Sequence, residues 1–282
     1  MPGKVYGIHG LGIMGGSIAL AVKSYMPDSK VIGFGRGKEK LQAAKRLGII
    51  DEVCDDSPEM IASLDYFIIA TPAQNIADVF AQYHNFLNDD VIIMDVASVK
   101  RIVIKDISKI NHRGLNFVGT HPMAGSEKSG MEFARADLFD KKIVAVIGEG
   151  REEILAKVRD FWKSMGAQIV LVSADFHDEI VASTSHSPHL ISSALSRLLE
   201  KDGWSEVRFF GLYGKGLLDT TRIAQGNPEM WADIILVNGD NVERSLIDFS
   251  REIQSVIDLI RKNKREELIE YLRLAKEFRE SL

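Results

Sequence analysis

One glycine-rich stretch, two histidine-bearing segments and one arginine-bearing segment hold the residue types with which this chain could do chemistry. Gly10-Leu11-Gly12-Ile13-Met14-Gly15 follows the apolar run Val5–His9 and precedes a helical pattern over Ser17–Tyr25. In that setting Gly10 permits a tight turn, Gly12 lets a pyrophosphate approach the backbone, and Gly15 lets the helix lie close on the strand. The helix start then offers free N–H groups and a favourable dipole to phosphate. The stretch therefore points to a bound dinucleotide. The next apolar run ends Val31-Ile-Gly-Phe-Gly35-Arg36-Gly37-Lys38, with glycine where an acid would hold the adenosine ribose of NAD. Arg36 and Lys38 could instead pair with a 2′-phosphate, so NADP is favoured; NAD is the alternative if both are solvated loop charges.

Three further segments follow apolar runs, where an open α/β sheet keeps its working parts: Ala70-Thr71-Pro72, Asp95-Val-Ala-Ser98-Val-Lys100, and Gly119-Thr-His121-Pro-Met-Ala-Gly125-Ser126-Glu127. Thr71 and Pro72 are expected beside the cofactor. Neutral imidazole at His121 could take a hydroxyl proton near physiological pH, although for the bare residue a loop histidine bonded locally is the plainer reading. Ser98 fits a substrate contact and also a helix N-cap. Glu127 fits a site acid or an inert loop acid. The guanidinium fork of Arg222 suits a planar carboxylate, and a solvated helix charge is the plainer reading. Trp231 is pocket wall or core. His186 and His189, three residues apart, share one helical face, yet no HExxH pattern or acid–histidine set completes a metal site, and no metal is expected. His186 is divided between pocket support and helix packing. His9, His84, His112 and His177 have no motif around them and are read as structural.

The elements that must position these groups change character along the chain. Val5–His9, Val31–Phe34, Tyr66–Ala70, Val91–Asp95, Phe117–Gly119, Ile143–Ile147 and Gln168–Val172 read as short buried strands. Amphipathic stretches lie between them, such as Ile154, Val158, Phe161 and Met165. That alternation predicts an α/β fold with a mostly parallel, Rossmann-type sheet and helices on both faces. After Ser173 the pattern is helical, with breaks near Gly203, Gly214–Gly216, Gly226–Pro228 and Gly239. The expected domains are thus 1–173 for the dinucleotide and 174–282, all helical. In the second, Val242, Leu246, Phe249, Ile253, Val256 and Ile260 repeat as a heptad-like stripe that must meet another helix, in the same chain or in a second copy.

A chain of 282 residues with 45% hydrophobic and 27% charged residues can bury a sizeable core, which argues against disorder. A net charge of −5 supplies no general attraction to nucleic acid or to an acidic membrane, so neither is an expected partner. The single cysteine, Cys54, forms no intrachain disulfide and fits a reducing compartment. The apolar runs are strand-sized, and glycine-rich sequence from Gly7 leaves no room for a leader of the usual order. A cytoplasmic protein is expected.

DVASVK, GTHPMAGSEKSG, SHSPH and DTTRIAQGNPEMW, in that order, resemble the prephenate/arogenate dehydrogenase family, over nearly the whole chain from Gly10 onward. The resemblance implies a cleft between a Rossmann domain and a helical substrate-binding and dimerisation domain. The implied reaction oxidises the ring hydroxyl of prephenate as carbon dioxide leaves, giving 4-hydroxyphenylpyruvate on the way to tyrosine. On the matching positions it implies His121 as the catalytic base, Ser98 as the residue that orients it and touches the hydroxyl, and Arg222 as the clamp on the ring carboxylate. Glu127 would organise or gate the site and Trp231 would support the pocket. His189 would lie near the side-chain carbonyl, which favours prephenate over arogenate. The implied assembly is a homodimer through the helical domain. Neither a mutase nor a regulatory domain is expected at the ends, so any feedback by tyrosine would act at the active site. A 3-hydroxyacid dehydrogenase of similar layout is the nearest alternative, but its helix lysine has no counterpart motif here. An inactive redox-sensing Rossmann protein would not need His121 and Arg222 together.

Overall fold

A computed structural model describes residues 3–124, 130–148, 150–201 and 211–282. Among them, eight strands form one sheet: β1 (Val5–His9), β2 (Lys30–Phe34), β3 (Glu52–Val53), β4 (Tyr66–Ile69), β5 (Ile92–Asp95), β6 (Asn116–Pro122), β7 (Ile143–Ile147) and β8 (Gln168–Val172). Their spatial order is β3-β2-β1-β4-β5-β6-β7-β8. Neighbours from β3 to β6 pair in parallel, β7 runs antiparallel to β6, and β8 pairs in parallel with β7. The intervening helices are α1 (Ile13–Tyr25), α2 (Lys38–Arg46), α3 (Pro58–Ala62), α4 (Ala73–Tyr83), α5 (Arg101–Ile110) and α6 (Glu152–Ser164).

Strand side chains alternate between two cores. Ile68, Ile92 and Met94 join Ile18 and Val22 of α1 and Phe161 and Trp162 of α6 on one face. Phe67, Ile69 and Ile93 join Phe80 of α4 and Val103 and Ile107 of α5 on the other. Covering both faces explains why these strands are almost continuously apolar. Each fully buried Ile or Phe contributes about 1.5–3 kcal/mol.

Two strands depart from the sequence reading. β3 was not foreseen, because two residues beside β2 are too short to show any period. β6 runs on past Gly119 to Pro122, with His121 opposite Ala145 of β7. His121 is therefore a strand residue and not a loop residue, held by its antiparallel pairing with β7.

No strand follows Val172 among the described residues. The helical part comprises α7 (Ala174–Val181), a π-helical turn (Ala182–His186), α8 (Ser187–Lys201), α9 (Lys215–Thr221), a 3-10 turn (Arg222–Gln225), α10 (Pro228–Val237), α11 (Gly239–Arg261) and α12 (Arg265–Ser281). Gly214 precedes α9, and the Asn227 side chain accepts from the Met230 N–H to cap α10, with Pro228 at its first position. The break expected at Gly203 lies outside the described residues. The heptad-like stripe divides along α11: Val242 is buried within the chain, whereas Phe249, Ile253 and Ile260 are exposed. Among the described residues no helix is long and apolar enough to cross a membrane.

Candidate active site

The glycine loop has the geometry that its spacing predicts. Gly10 has φ +96°, and a Cβ there would lie 2.7 Å from the Ala70 carbonyl oxygen. A Cβ on Gly15 would lie 2.1 Å from the Gly10 oxygen, so α1 and the turn touch backbone to backbone. A Cβ on Gly12 would meet nothing within 4 Å, which leaves an open approach at the start of α1. No side chain caps α1 at Gly12, so its first N–H groups remain available to phosphate. Thr71 Oγ1, beside Gly10, is buried with no hydrogen-bond partner among the described residues. An open cradle, free helix N–H groups and an orphaned hydroxyl fit a dinucleotide. Leu11 is buried in the core, so its share of such a site is backbone; Ile13 and Met14 also pack on that core. Pro72 is the exposed N-cap of α4.

The adenosine end contains something the sequence reading missed. A pocket of about 220 Å³ is lined by Gly35 and Lys38 and also by Asp55 and Asp56, from the loop after β3. Hydrogen bonds from Ser57 hold Asp55 below the usual carboxylate range. The charge of Arg36 acts on His9 at the end of β1, where burial first and then that charge push the imidazole down to about 4. Cations and carboxylates thus share the place where the sequence showed cations alone. The acids escaped notice because they follow a strand too short to recognise.

The ends of β5 and β6 carry the second cluster. Lys100 and Asp95 form an ion pair that is fully buried. Lys100 Nζ also donates to the Thr120 carbonyl at 2.8 Å, next to His121. Burial raises the Asp95 carboxyl and lowers the Lys100 ammonium, and their mutual attraction opposes both shifts. His121 Nδ1 lies 2.8 Å from His177 Nε2 of α7, and His177 Nδ1 lies 2.7 Å from Asp178 Oδ1. Burial, reinforced by His177, Lys100 and His186, holds His121 well below the ordinary histidine value, so it is a neutral imidazole at physiological pH.

Asp178 also accepts from the N–H groups of Lys100 (2.8 Å) and Arg101 (2.9 Å) at the start of α5. The cap of α5 therefore comes from the helical part of the chain. Ser98, which the sequence offered as that cap, lies three residues before the helix, and its hydroxyl has no hydrogen bond among the described residues. His177, read as structural from its bare context, bonds His121 on one side and Asp178 on the other. The one local signal was the adjacent His–Asp pair.

His186, in the π-helical turn, is buried, and burial pushes it down to about 4. Asn238 Nδ2 bridges the Asp178 carbonyl (2.7 Å) and His186 Nδ1 (3.3 Å). Further along, the His189 ring stacks on Trp231 with centroids 3.8 Å apart and planes 12° apart. Gly226 presses against that stack, since a Cβ there would lie 2.3 Å from Trp231 Nε1. The 3-10 turn that begins at Arg222 packs on α8, and Arg222 itself is exposed. His121, His177, Asp178 and His186 thus form one group, and His189 and Trp231 another, linked by the edge-on approach of His186 to Trp231 at 6.2 Å. Glu127 lies outside the described residues. Among those described, no three His, Cys, Asp or Glu side chains converge as a metal site.

Two family models match this chain. The one described as the prephenate dehydrogenase nucleotide-binding domain matches residues 18–171, and the one described as the prephenate dehydrogenase dimerization domain matches residues 173–274. The chain is 31% identical to the prephenate dehydrogenase of Bacillus subtilis (strain 168), over 98% of this chain and 75% of that protein. It is 30% identical to the cyclohexadienyl dehydrogenase of Zymomonas mobilis, over 99% and 96%. Its fold superposes with a TM-score of 0.90 on the crystal structure of prephenate dehydrogenase from Aquifex aeolicus in complex with hydroxyphenyl propionate and NAD+, at 32% identity over 98% of this chain and 97% of that one.

Proposed function

Because the chain belongs to the prephenate dehydrogenase family, we propose that it carries out the oxidative decarboxylation of prephenate to 4-hydroxyphenylpyruvate with a nicotinamide dinucleotide, in tyrosine biosynthesis. The observation that carries this reading is a neutral, strand-held imidazole, His121, at the same carboxyl end of the parallel strands as the glycine cradle.

Gly10, Gly12, Gly15 and Thr71 would hold the dinucleotide, whose oxidised nicotinamide supplies the hydride acceptor. His121 accepts the proton of the ring hydroxyl as that carbon is oxidised, which lets the ring carboxylate depart as carbon dioxide while the ring becomes aromatic. Ser98, whose hydroxyl is uncommitted among the described residues, hydrogen-bonds the same hydroxyl. Arg222 clamps a carboxylate, and Trp231 holds His189 against the substrate side chain. Glu127 organises the site. We assign domains at 1–173 and 174–282, the second supplying substrate-binding groups. Two copies pair through that second part: its match is to a dimerization domain, and it leaves Leu236, Ile253, Ile260 and Phe278 exposed.

Two finer points have competing support. Arg36 and Lys38 favour NADP, whereas the carboxylates of Asp55 and Asp56 on the same pocket favour NAD. His189 favours prephenate by resemblance. Its ring, however, hydrogen-bonds the Ile223 backbone, and its buried Nδ1 has no partner among the described residues, an arrangement that would also accept from the ammonium of arogenate. The deciding experiment follows reduced-nicotinamide absorbance with prephenate and arogenate, each crossed with NAD and NADP. Turnover of prephenate, abolished in His121→Asn with dinucleotide affinity unchanged, is the expected result. No turnover of either substrate would refute the proposal.

A further inference from the structure

The protons on the His121–His177–Asp178 chain can be placed from its partners alone. Asp178 accepts from Lys100 N, Arg101 N and His177 Nδ1. Burial would raise its carboxyl, but the hydrogen bonds from His177, Arg101 and Lys100 outweigh burial and hold it below the ordinary value. The N-terminal dipole of α5 acts in the same direction. An ionised carboxylate has no proton to give, so the nitrogen facing it, His177 Nδ1, bears one. An imidazole that bears its one proton on Nδ1 has a free lone pair on Nε2, and the Nε2 of His177 faces His121 Nδ1 at 2.8 Å. A nitrogen facing a lone pair must carry the hydrogen. His121 is thereby the Nδ1–H tautomer, and its Nε2 is the bare, proton-accepting nitrogen.

We propose that His177 and Asp178 are positioning residues that fix the tautomer of His121, so that Nε2 is the nitrogen which takes the substrate proton. This rests on the reading of His121 as the base. In the reaction the substrate O–H bond breaks and an N–H bond forms at His121 Nε2. The imidazolium that results keeps its Nδ1–H on His177 Nε2, and the Asp178 carboxylate lies one imidazole away to balance the charge. His121 Nε2 then returns that proton to the phenolate oxygen formed as carbon dioxide leaves, so the product bears its hydroxyl and the base is regenerated. Burial, His177, Lys100 and His186 all oppose protonation of His121, and the carboxylate of this hydrogen-bonded chain is Asp178, bonded to the far nitrogen of His177. The same carboxylate caps α5, so the device also ties the helical part of the chain to the sheet end that carries the base.

The test compares His177→Phe, which keeps the ring's bulk but offers no acceptor, with His177→Gln, whose amide oxygen can accept from His121 while its NH2 faces Asp178. Steady-state kinetics give kcat and KM, titration of reduced dinucleotide gives affinity, and 15N-histidine NMR reads the His121 tautomer. His177→Phe is expected to lower kcat on the order of 100-fold, with KM and dinucleotide affinity within about twofold. Its His121 signals should shift from the Nδ1–H form towards Nε2–H. His177→Gln should recover most of the lost rate and the original tautomer. The proposal is overturned if His177→Phe turns over within threefold of the parent while His121→Asn is dead, or if His121 is already Nε2–H in the parent protein. Full turnover in His121→Asn would instead remove the base itself, an outcome that separates the two readings.

Discussion

Lys100→Met isolates the buried ion pair beneath the proposed base. Methionine keeps the length and apolar stem of lysine, but it removes the counter-ion of Asp95 at a place where both partners are fully buried. Asp95 would retain hydrogen bonds from the N–H groups of Ala97 (2.9 Å) and Thr120 (3.3 Å), which do not replace a charge. Breaking such a pair from one side costs about 3–5 kcal/mol. The charge part of that cost has a ceiling, because Asp95 can take up a proton. Starting from the ordinary carboxyl value of 3.8, holding the carboxyl protonated costs about 1.4 kcal/mol for each pH unit above it, hence about 4 kcal/mol at pH 7 and under about 2 at pH 5. The sign follows directly. With its folded-state pKa raised further, Asp95 in the variant holds a proton that the unfolded chain releases, so the penalty shrinks as pH falls towards 3.8. Urea unfolding of parent and variant at pH 7, 6 and 5, followed by the fluorescence of fully buried Trp162, measures the difference. A penalty that stays constant across this range, or one below 1 kcal/mol at pH 7, would refute the assignment of a charged pair whose cost is set by burial.

Arg222→Ala should raise KM for prephenate about 10- to 150-fold, the equivalent of 1.5–3 kcal/mol for a lost charge-assisted contact; an unchanged KM would mean that another group holds the carboxylate. Gly15→Ala places a Cβ 2.1 Å from the Gly10 oxygen, and backbone cannot yield as a side chain can. It should weaken dinucleotide binding at least tenfold in a fluorescence titration, and wild-type affinity would contradict the close contact. Acid should destabilise the folded chain through His9 and His186, both pushed down to about 4 by burial. Between pH 6.5 and 4 the unfolded chain binds more protons than the folded one, so each histidine should subtract about 2 kcal/mol on going from pH 7 to 5. Stability in His186→Asn that falls just as steeply would remove that residue from the account. For cofactor choice Arg36→Ala is a better probe than Gly35→Asp, since Gly35 has φ +149° and any side chain there is strained.

What the sequence revealed was what is local. The roles of Gly10, Gly12 and Gly15 follow from contacts within one strand–turn–helix unit, and strand-sized apolar runs marked the sheet. The missed features depend on distance along the chain. His177 meets His121 across 56 residues, and Asp178 caps a helix that begins 77 residues earlier. A cap rule read locally points to Ser98, because nothing near Arg101 in sequence announces a carboxylate arriving from α7. Asp55 and Asp56 were hidden for a different reason: β3 is two residues long, and without it the loop that bears them has no address on the sheet.

The division of burial between the two parts of the chain explains why site and architecture are hard to separate here. The sheet part buries apolar side chains on both faces, whereas the helical part buries only Ala174, Val181, Ala182 and Val242 among its described hydrophobic residues. Beside them it buries His177, Asp178, His186, Ser187, His189, Ser192, Asn238 and Asn241. A seam of that composition gains little from the hydrophobic effect; directional hydrogen bonds must set its geometry. Among the described residues, bonds across the seam run from Lys100 and Arg101 to Asp178, from Arg101 to Asp240 and between His121 and His177, and Asp178 also bonds His177. One carboxylate, Asp178, therefore bears on both the orientation of the helical part and the orientation of the base. The apolar surface that such a seam cannot use is left on α10, α11 and α12, and burying it against a second copy would steady the turn that bears Arg222 and the helix that bears Trp231, neither of which has a buried residue of its own in a single chain.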